Sequence, residues 1–170
     1  LRMAPSNYNT SCFDIAGTQI PDAKYDLIFS KMVFEHIRDS RIAYKNIFAL
    51  LNTGGIFINF HPTLFATPFL INKILPSSFS DWLLKYANPE GYRAIDRKFP
   101  AYYSLCKSTA SVETALKAIG FAEITIVPFY GHNYFDQIPF LRTVSKKIAD
   151  SCQSVDFRYL SSFAFIIGKK

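Results

Sequence analysis

Tyr25-Asp26-Leu27-Ile28-Phe29-Ser30, the run from Arg41 to Leu51, and Ile56-Phe57-Ile58-Asn59-Phe60 together decide the fold of this chain. The first stretch is short and apolar and follows a Pro21-Asp22 turn, so it reads as a buried strand. Asp39 or Ser40 then stands where a helix N-cap is wanted. Ala43, Ile47, Leu50 and Leu51 recur at i, i+4, i+7 and i+8, which gives the helix one apolar face. Asn52-Thr53-Gly54-Gly55 carries the glycines that a helix C-terminus and a tight turn favour. Ile56 to Phe60 is the next buried strand. Strand, helix and strand joined by short turns form a βαβ unit, with parallel strands and a right-handed crossover.

Outward from this unit the signals are sparser. Upstream, Cys12-Phe13-Asp14 is expected to end another strand. Downstream, residues 62–107 hold Pro62, Pro68, Pro76, Pro89 and Pro100, with short helices expected at Phe69 to Leu75 and Phe79 to Tyr86. A stretch this long is either a substrate lid or a helical elaboration that only packs. Thr109 next caps a helix whose Val112, Ala115, Leu116 and Ile119 share a face, and Gly120 ends it. Glu123 to Val127 reads as a strand. Pro139 opens a helix through Ala149, within a second helical insertion at 131–155. Arg158 to Gly168 closes the chain as a final strand.

The totals set bounds. A length of 170 residues suits one domain with a real core. Apolar residues at 49% and aromatics at 16%, with 17 Phe, exclude a disordered chain. The aromatic excess calls for a large core or a pocket lined with rings. The net charge of +6 is carried by scattered Lys and Arg. It is either a solvated surface or a preference for anionic partners such as membranes, phosphates or RNA. With no basic patch, nucleic acid ranks low. Cys12, Cys106 and Cys152 are far apart and suit neither a disulfide framework nor zinc, which fits a reducing, cytoplasmic compartment. Leu1-Arg2-Met3-Ala4-Pro5 lacks the apolar stretch of a signal peptide, and no run approaches a transmembrane helix. Because the chain does not begin with Met, its first residues are not expected to be the natural start.

The order of pieces resembles the class I S-adenosylmethionine-dependent methyltransferases. Tyr25 to Ser30 followed by Val33-Phe34-Glu35-His36-Ile37 resembles that family's fourth-strand motif. Leu50-Leu51-Asn52-Thr53-Gly54-Gly55 resembles its L-K-P-G-G turn, with Asn52-Thr53 in place of Lys-Pro. Thr109 to Gly120-Phe121 resembles the later helix that often ends in A-G-F. Phe99-Pro100-Ala101-Tyr102-Tyr103 resembles a subgroup with glycan or lipid-linked substrates. The resemblance implies an α/β, partial Rossmann-like sheet, mostly parallel with a C-terminal antiparallel strand, and a helical lid. The family's G-x-G-x-G loop and the acidic residue after its second strand have no counterpart among the seven glycines and the front of this chain. Leu1 to Pro5 resembles the helix that follows that acidic strand, so the chain is expected to start after half of the cofactor site. The Tyr25 strand would then be an open edge, a place for dimerisation.

The resemblance also implies site residues. Asp14 would accept from the adenine amino group of S-adenosylmethionine, with a backbone contact from Ile15; otherwise Asp14 is a turn residue. Ser30, Lys31 and Met32, at the end of their strand, would lie beside the methionine part of the cofactor, at the carboxyl edge where open α/β sheets bind ligands. His36 and His61 are candidate general bases, since histidine titrates near neutrality; the structural alternative for His36 is to hold a helix start. Tyr92, Tyr102, Tyr103 and His132 are candidate acceptor contacts, the tyrosines otherwise packing as core. The implied reaction is methyl transfer to a small-molecule, glycan or lipid-linked acceptor, with O-methylation the first choice. A noncatalytic binding or scaffold domain of the same fold is the rival. Peripheral membrane contact through the apolar stretch from Phe60 to Leu84, and a homodimer, are the further partner expectations.

Overall fold

The computed structural model describes residues 9–64, 66, 100–133 and 135–170. Tyr92, the helices expected at Phe69 to Leu75 and Phe79 to Tyr86, most of the 62–107 segment and the Leu1 to Pro5 helix lie outside the described residues.

The βαβ unit forms as the sequence predicts. Strand β1 runs Tyr25–Lys31, helix α1 Ser40–Leu50 and strand β2 Leu51–Pro62. Asp39 is the N-cap, and its Oδ1 accepts from the Ile42 N–H at 3.2 Å. The C-terminus of α1 departs from expectation. Leu51 is already extended at ψ 141°, so helix passes into strand with no intervening loop. Gly54, at φ 79°, lies instead within an irregular start of β2, opposite a register slip between Tyr25 and Leu27. The carbonyls of Phe48 in the last turn of α1 and of its C-cap Leu51 each accept from Lys170 Nζ at 2.8 Å.

Helix α2 spans Ala110–Lys117 and strand β3 Glu123–Phe129. Thr109 stands at the N-cap, yet its Oγ1 bonds Ser111 Oγ at 2.8 Å rather than a helix N–H. Gly120 has φ 127°, and a Cβ there would meet Phe48 Cζ at 2.8 Å. Helix α3, Pro139–Ser154, runs past the expected end at Ala149. The expected final strand divides into a 3-10 turn at Arg158–Leu160 and strand β4 at Phe163–Lys169.

The sheet order is β1-β2-β4-β3. β1 and β2 are parallel, while β4 is antiparallel to both β2 and β3. The expectation of a mostly parallel sheet is therefore corrected. β4 lies between two strands that run the other way, so antiparallel pairing predominates. The expected strand end at Cys12-Phe13-Asp14 is also corrected. Asp14 makes a turn, its Oδ1 accepting from the Ala16 N–H and its carbonyl from the Gly17 N–H, each at 2.9 Å.

The two sheet faces differ. Tyr44 and Ile47 of α1, Val112 and Leu116 of α2, Phe57 and Ile166 form one buried cluster on one face. On the other face the alternation places Leu27, Phe29, Ile56, Phe60, Phe129 and Phe165. There Leu27 is 59% and Phe29 68% exposed.

Candidate functional site

Parallel pairing brings the carboxyl ends of β1 and β2 side by side. Ser30 faces Asn59 and Lys31 faces Phe60 across the ladder. Ser30 Oγ donates to Asn59 Oδ1 at 3.0 Å, and Asn59 Nδ2 donates to the Tyr44 hydroxyl at 3.1 Å. Asn59 and Tyr44 are fully buried, and burial pushes the Tyr44 phenol far above its ordinary range. This line of polar atoms ties the end of β1 to α1. The Met32 N–H donates to the Phe60 carbonyl at 2.8 Å, and Met32 adopts φ 56°, the left-handed region that a long side chain rarely enters. The backbone turns sharply there, out of the sheet edge.

On the open face, a cavity of about 390 Å³ lies beside Lys31, lined by Phe29, Phe60, Phe129, Phe163 and Phe165. Phe60 stacks on Phe163 at 5.4 Å and meets Phe165 at 4.8 Å. The expectation of a ring-lined pocket from the aromatic excess finds its counterpart here, although no single Phe of this set was named. The signal lay in β2 and β4, whose apolar residues occupy both parities, the mark of a strand apolar on both faces.

The remaining candidates divide. His36 is exposed, and its Nδ1 lies 3.0 Å from the Pro100 carbonyl, which accepts and so assigns the proton to Nδ1. Its Nε2 lies 3.8 Å from Glu35 Oε1. Glu35 is buried, its Oε2 has no hydrogen-bond partner, and burial raises its carboxyl above the ordinary range. The Glu35 carbonyl accepts from the Tyr102 N–H at 2.7 Å, so Glu35 and His36 together anchor the 100–103 segment to the end of β1. Tyr102 is partly exposed beneath the Arg38 guanidinium, 5.8 Å from its ring, whereas Tyr103 packs against the core. His61 has no exposed surface. Its Nδ1 lies 3.0 Å from the Pro62 carbonyl, its Nε2 is unpartnered, and burial brings its pKa down to about 4. The imidazole is neutral at physiological pH and turned into the protein.

His132 belongs to another crevice, of about 310 Å³, between the 131–136 loop and α3. Its Nε2 lies 2.7 Å from Ser145 Oγ, and burial lowers its pKa. Gly131 borders both this crevice and the ring-lined cavity.

Asp14 is exposed, and Ile15 packs against the core cluster. Their turn is clamped by Asn46 of α1, whose Nδ2 donates to the carbonyls of Ile15 at 2.7 Å and Gly17 at 2.9 Å. Sequence reasoning missed Asn46 and Asn59, for a polar residue among apolar neighbours has no spacing of its own. Among the described residues, no three His, Cys, Asp or Glu side chains are placed to hold a metal ion, and no helix is long and apolar enough to cross a membrane.

Residues 2–59 match a family model described as a methyltransferase domain. No curated protein matches the chain. A SAM dependent methyltransferase from Archaeoglobus fulgidus shares the fold with a TM-score of 0.52 and 14% identity, over 99% of this chain and 71% of that one. Phosphoethanolamine N-methyltransferase 2 of Haemonchus contortus, solved with S-adenosyl-L-methionine, gives a TM-score of 0.47 and 16% identity over 86% of this chain. The chain spans 33% of the length of that enzyme. The N-methyltransferase NodS from Bradyrhizobium japonicum, in complex with S-adenosyl-l-homocysteine, gives 0.42 and 13% over 94% of this chain and 53% of its own.

Proposed function

We propose that this chain, whose residues 2–59 match a methyltransferase domain model, serves S-adenosylmethionine-dependent methyl transfer to a small-molecule, glycan or lipid-linked acceptor. The observation that carries the reading is the parallel β1–β2 edge. It delivers Ser30, Lys31 and Met32 to one place, with Met32 held at φ 56° and Lys31 beside the ring-lined cavity.

A hydroxyl and an ammonium at this edge, on Ser30 and Lys31, support a contact with the charged end of the cofactor. Ser30 to Met32 would flank its amino-acid portion, and Asp14 with Ile15 would face its base. When bound, S-adenosylmethionine supplies a methyl group activated by a sulfonium. The chain's own part is to bind, orient and deprotonate the acceptor. Five phenylalanine rings favour an acceptor with an apolar or aromatic body, and the Lys31 ammonium an anionic group on it. His36, exposed just beyond the end of β1, is the candidate base for taking a hydroxyl proton, the step O-methylation requires.

The rival reading is a noncatalytic binding or scaffold domain of the same fold. Calorimetric titration of S-adenosylmethionine and S-adenosylhomocysteine into the folded chain, beside a longer product if upstream coding sequence exists, separates the two. Saturable binding by either form upholds the methyltransferase reading. Absence of binding by both, with far-UV circular dichroism showing folded protein, replaces it with a binding or scaffold role.

A further inference from the structure

Among the described residues, the crevice beside His132 is lined wholly from one stretch of chain, residues 131–153. His132 Nε2 and Ser145 Oγ, 2.7 Å apart, tie the 131–136 loop to α3. The buried Phe135 ring meets the imidazole edge-on at 5.2 Å. The Phe135 carbonyl accepts from the Ile138 N–H at 3.0 Å, just before the helix starts. From α3, Arg142, Ser145, Lys146, Ala149, Asp150 and Gln153 line the space. They recur at the i, i+3, i+4, i+7, i+8 spacing of one helix face.

Two cations, Arg142 and Lys146, and two carboxylates, Asp136 and Asp150, border this one crevice. All four are exposed. None joins a salt bridge among the described residues, where Lys117 pairs with Glu113, Arg158 with Asp156 and Lys169 with Glu123. Lys146 and Asp150 stand one turn apart, about 6 Å along the axis, a spacing at which opposite charges on a helix can pair, yet they do not. Opposite charges held apart across a small space match a ligand that carries both signs. We propose that this crevice binds a free α-amino acid. The ligand carboxylate takes the Arg142 guanidinium, whose fork of N–H donors matches two oxygens, with Lys146 beside it. Asp136 bears electrostatically on His132, which leaves Asp150 for the ligand ammonium. Phe135 and Ala149 offer apolar surface to its side chain. The volume of about 310 Å³ is at the lower end of the roughly 300–1,000 Å³ of ligand pockets, which suits one amino acid rather than a peptide or a nucleotide.

The inference is independent of methyl transfer and is tested without S-adenosylmethionine. Saturation-transfer NMR of the full chain with the standard amino acids, one at a time at about 5 mM, is expected to pick out a small set of ligands with Kd of about 0.1–1 mM. Calorimetry then measures the tightest of them. Its N-acetyl derivative, which lacks the ammonium, and its α-amide, which lacks the carboxylate, should each bind about tenfold more weakly. Arg142→Gln and Asp150→Asn remove charge at exposed positions, so the far-UV spectrum should stay unchanged while each weakens the parent amino acid by about tenfold. The variants also assign the two ends of the ligand. Arg142→Gln should close the gap between the amino acid and its amide, and Asp150→Asn the gap between the amino acid and its N-acetyl form. Absence of saturation transfer from every amino acid, derivatives that bind as well as the parent, or affinity left unchanged by either folded variant overturns the proposal.

Discussion

Truncating Asn59 to alanine would break the link between the end of β1 and the helix above it. Asn59 accepts from Ser30 Oγ and donates to the Tyr44 hydroxyl. The two losses are unequal. Ser30 is only partly buried and can turn to water. Tyr44 cannot, since its ring is fully buried with Phe34 at 4.6 Å and Phe57 at 5.4 Å. Its hydroxyl would remain in an apolar core without this partner, at about 1–3 kcal/mol. The space left by the carboxamide adds about 1 kcal/mol. Asn59→Ala is therefore expected to cost about 2–4 kcal/mol, lowering the urea midpoint by roughly 1–2 M at constant slope. The double variant with Tyr44→Phe tests the cause. Without the hydroxyl, nothing is orphaned, and Asn59→Ala becomes cheaper by about 1 kcal/mol or more. Additivity of the two changes to within about 0.5 kcal/mol would refute the reasoning.

Three further outcomes follow from groups described above. His61 is neutral when folded, with a pKa of about 4 against the usual 6.5, so the unfolded chain takes up the proton first as pH falls. Its contribution is whole above pH 6.5 and lost toward pH 4, a slope amounting to about 3 kcal/mol. His61→Phe should flatten the denaturant midpoint across that window, and an unchanged slope would count against it. Glu35 has the opposite sign. Its carboxyl is raised above 4.5 by burial, so the folded chain holds its proton longer and stability falls as pH rises through the elevated value. Glu35→Gln should gain on the order of 1 kcal/mol at pH 7 and nothing near pH 4, as read from paired thermal melts. Gly120→Ala combines strain at φ 127° with a contact of 2.8 Å to the Phe48 ring. A loss of about 2–3 kcal/mol by urea titration is expected, and a loss under about 0.5 kcal/mol would mean Phe48 moves aside freely.

The parts legible in the sequence are those where one local signal governs. Asp39 before a 3.6-residue apolar stripe specifies α1, and Pro139 marks the start of α3. Two apolar runs flanking α1 specify a parallel pair. The misreadings arise where a distant partner decides. Gly54 and Gly55 look like a helix stop, but Lys170 supplies the carbonyl partners, and it stands over a hundred residues away. The apolar Cys12-Phe13 pair suggests a strand, but Asp14 bonds its own backbone and the chain turns. The carboxyl-edge residues Ser30 to Met32 were readable because their position follows from strand polarity. The buried orientation of His61 and the anchoring of His36 by Pro100 depend on packing that spacing does not encode.

The place of β4 has a consequence for assembly. Among the described strands it comes last in sequence yet lies between β2 and β3, which hydrogen-bond to it and not to each other. Until Phe163–Lys169 arrives, β3 has no described strand to pair with, while β1 and β2 already pair with each other. A nascent or truncated chain stopping before Phe163 would therefore hold no partial version of the sheet's right half, and its gain of structure should come late and in one step. Because those contacts span long sequence separations, that step should also be slow.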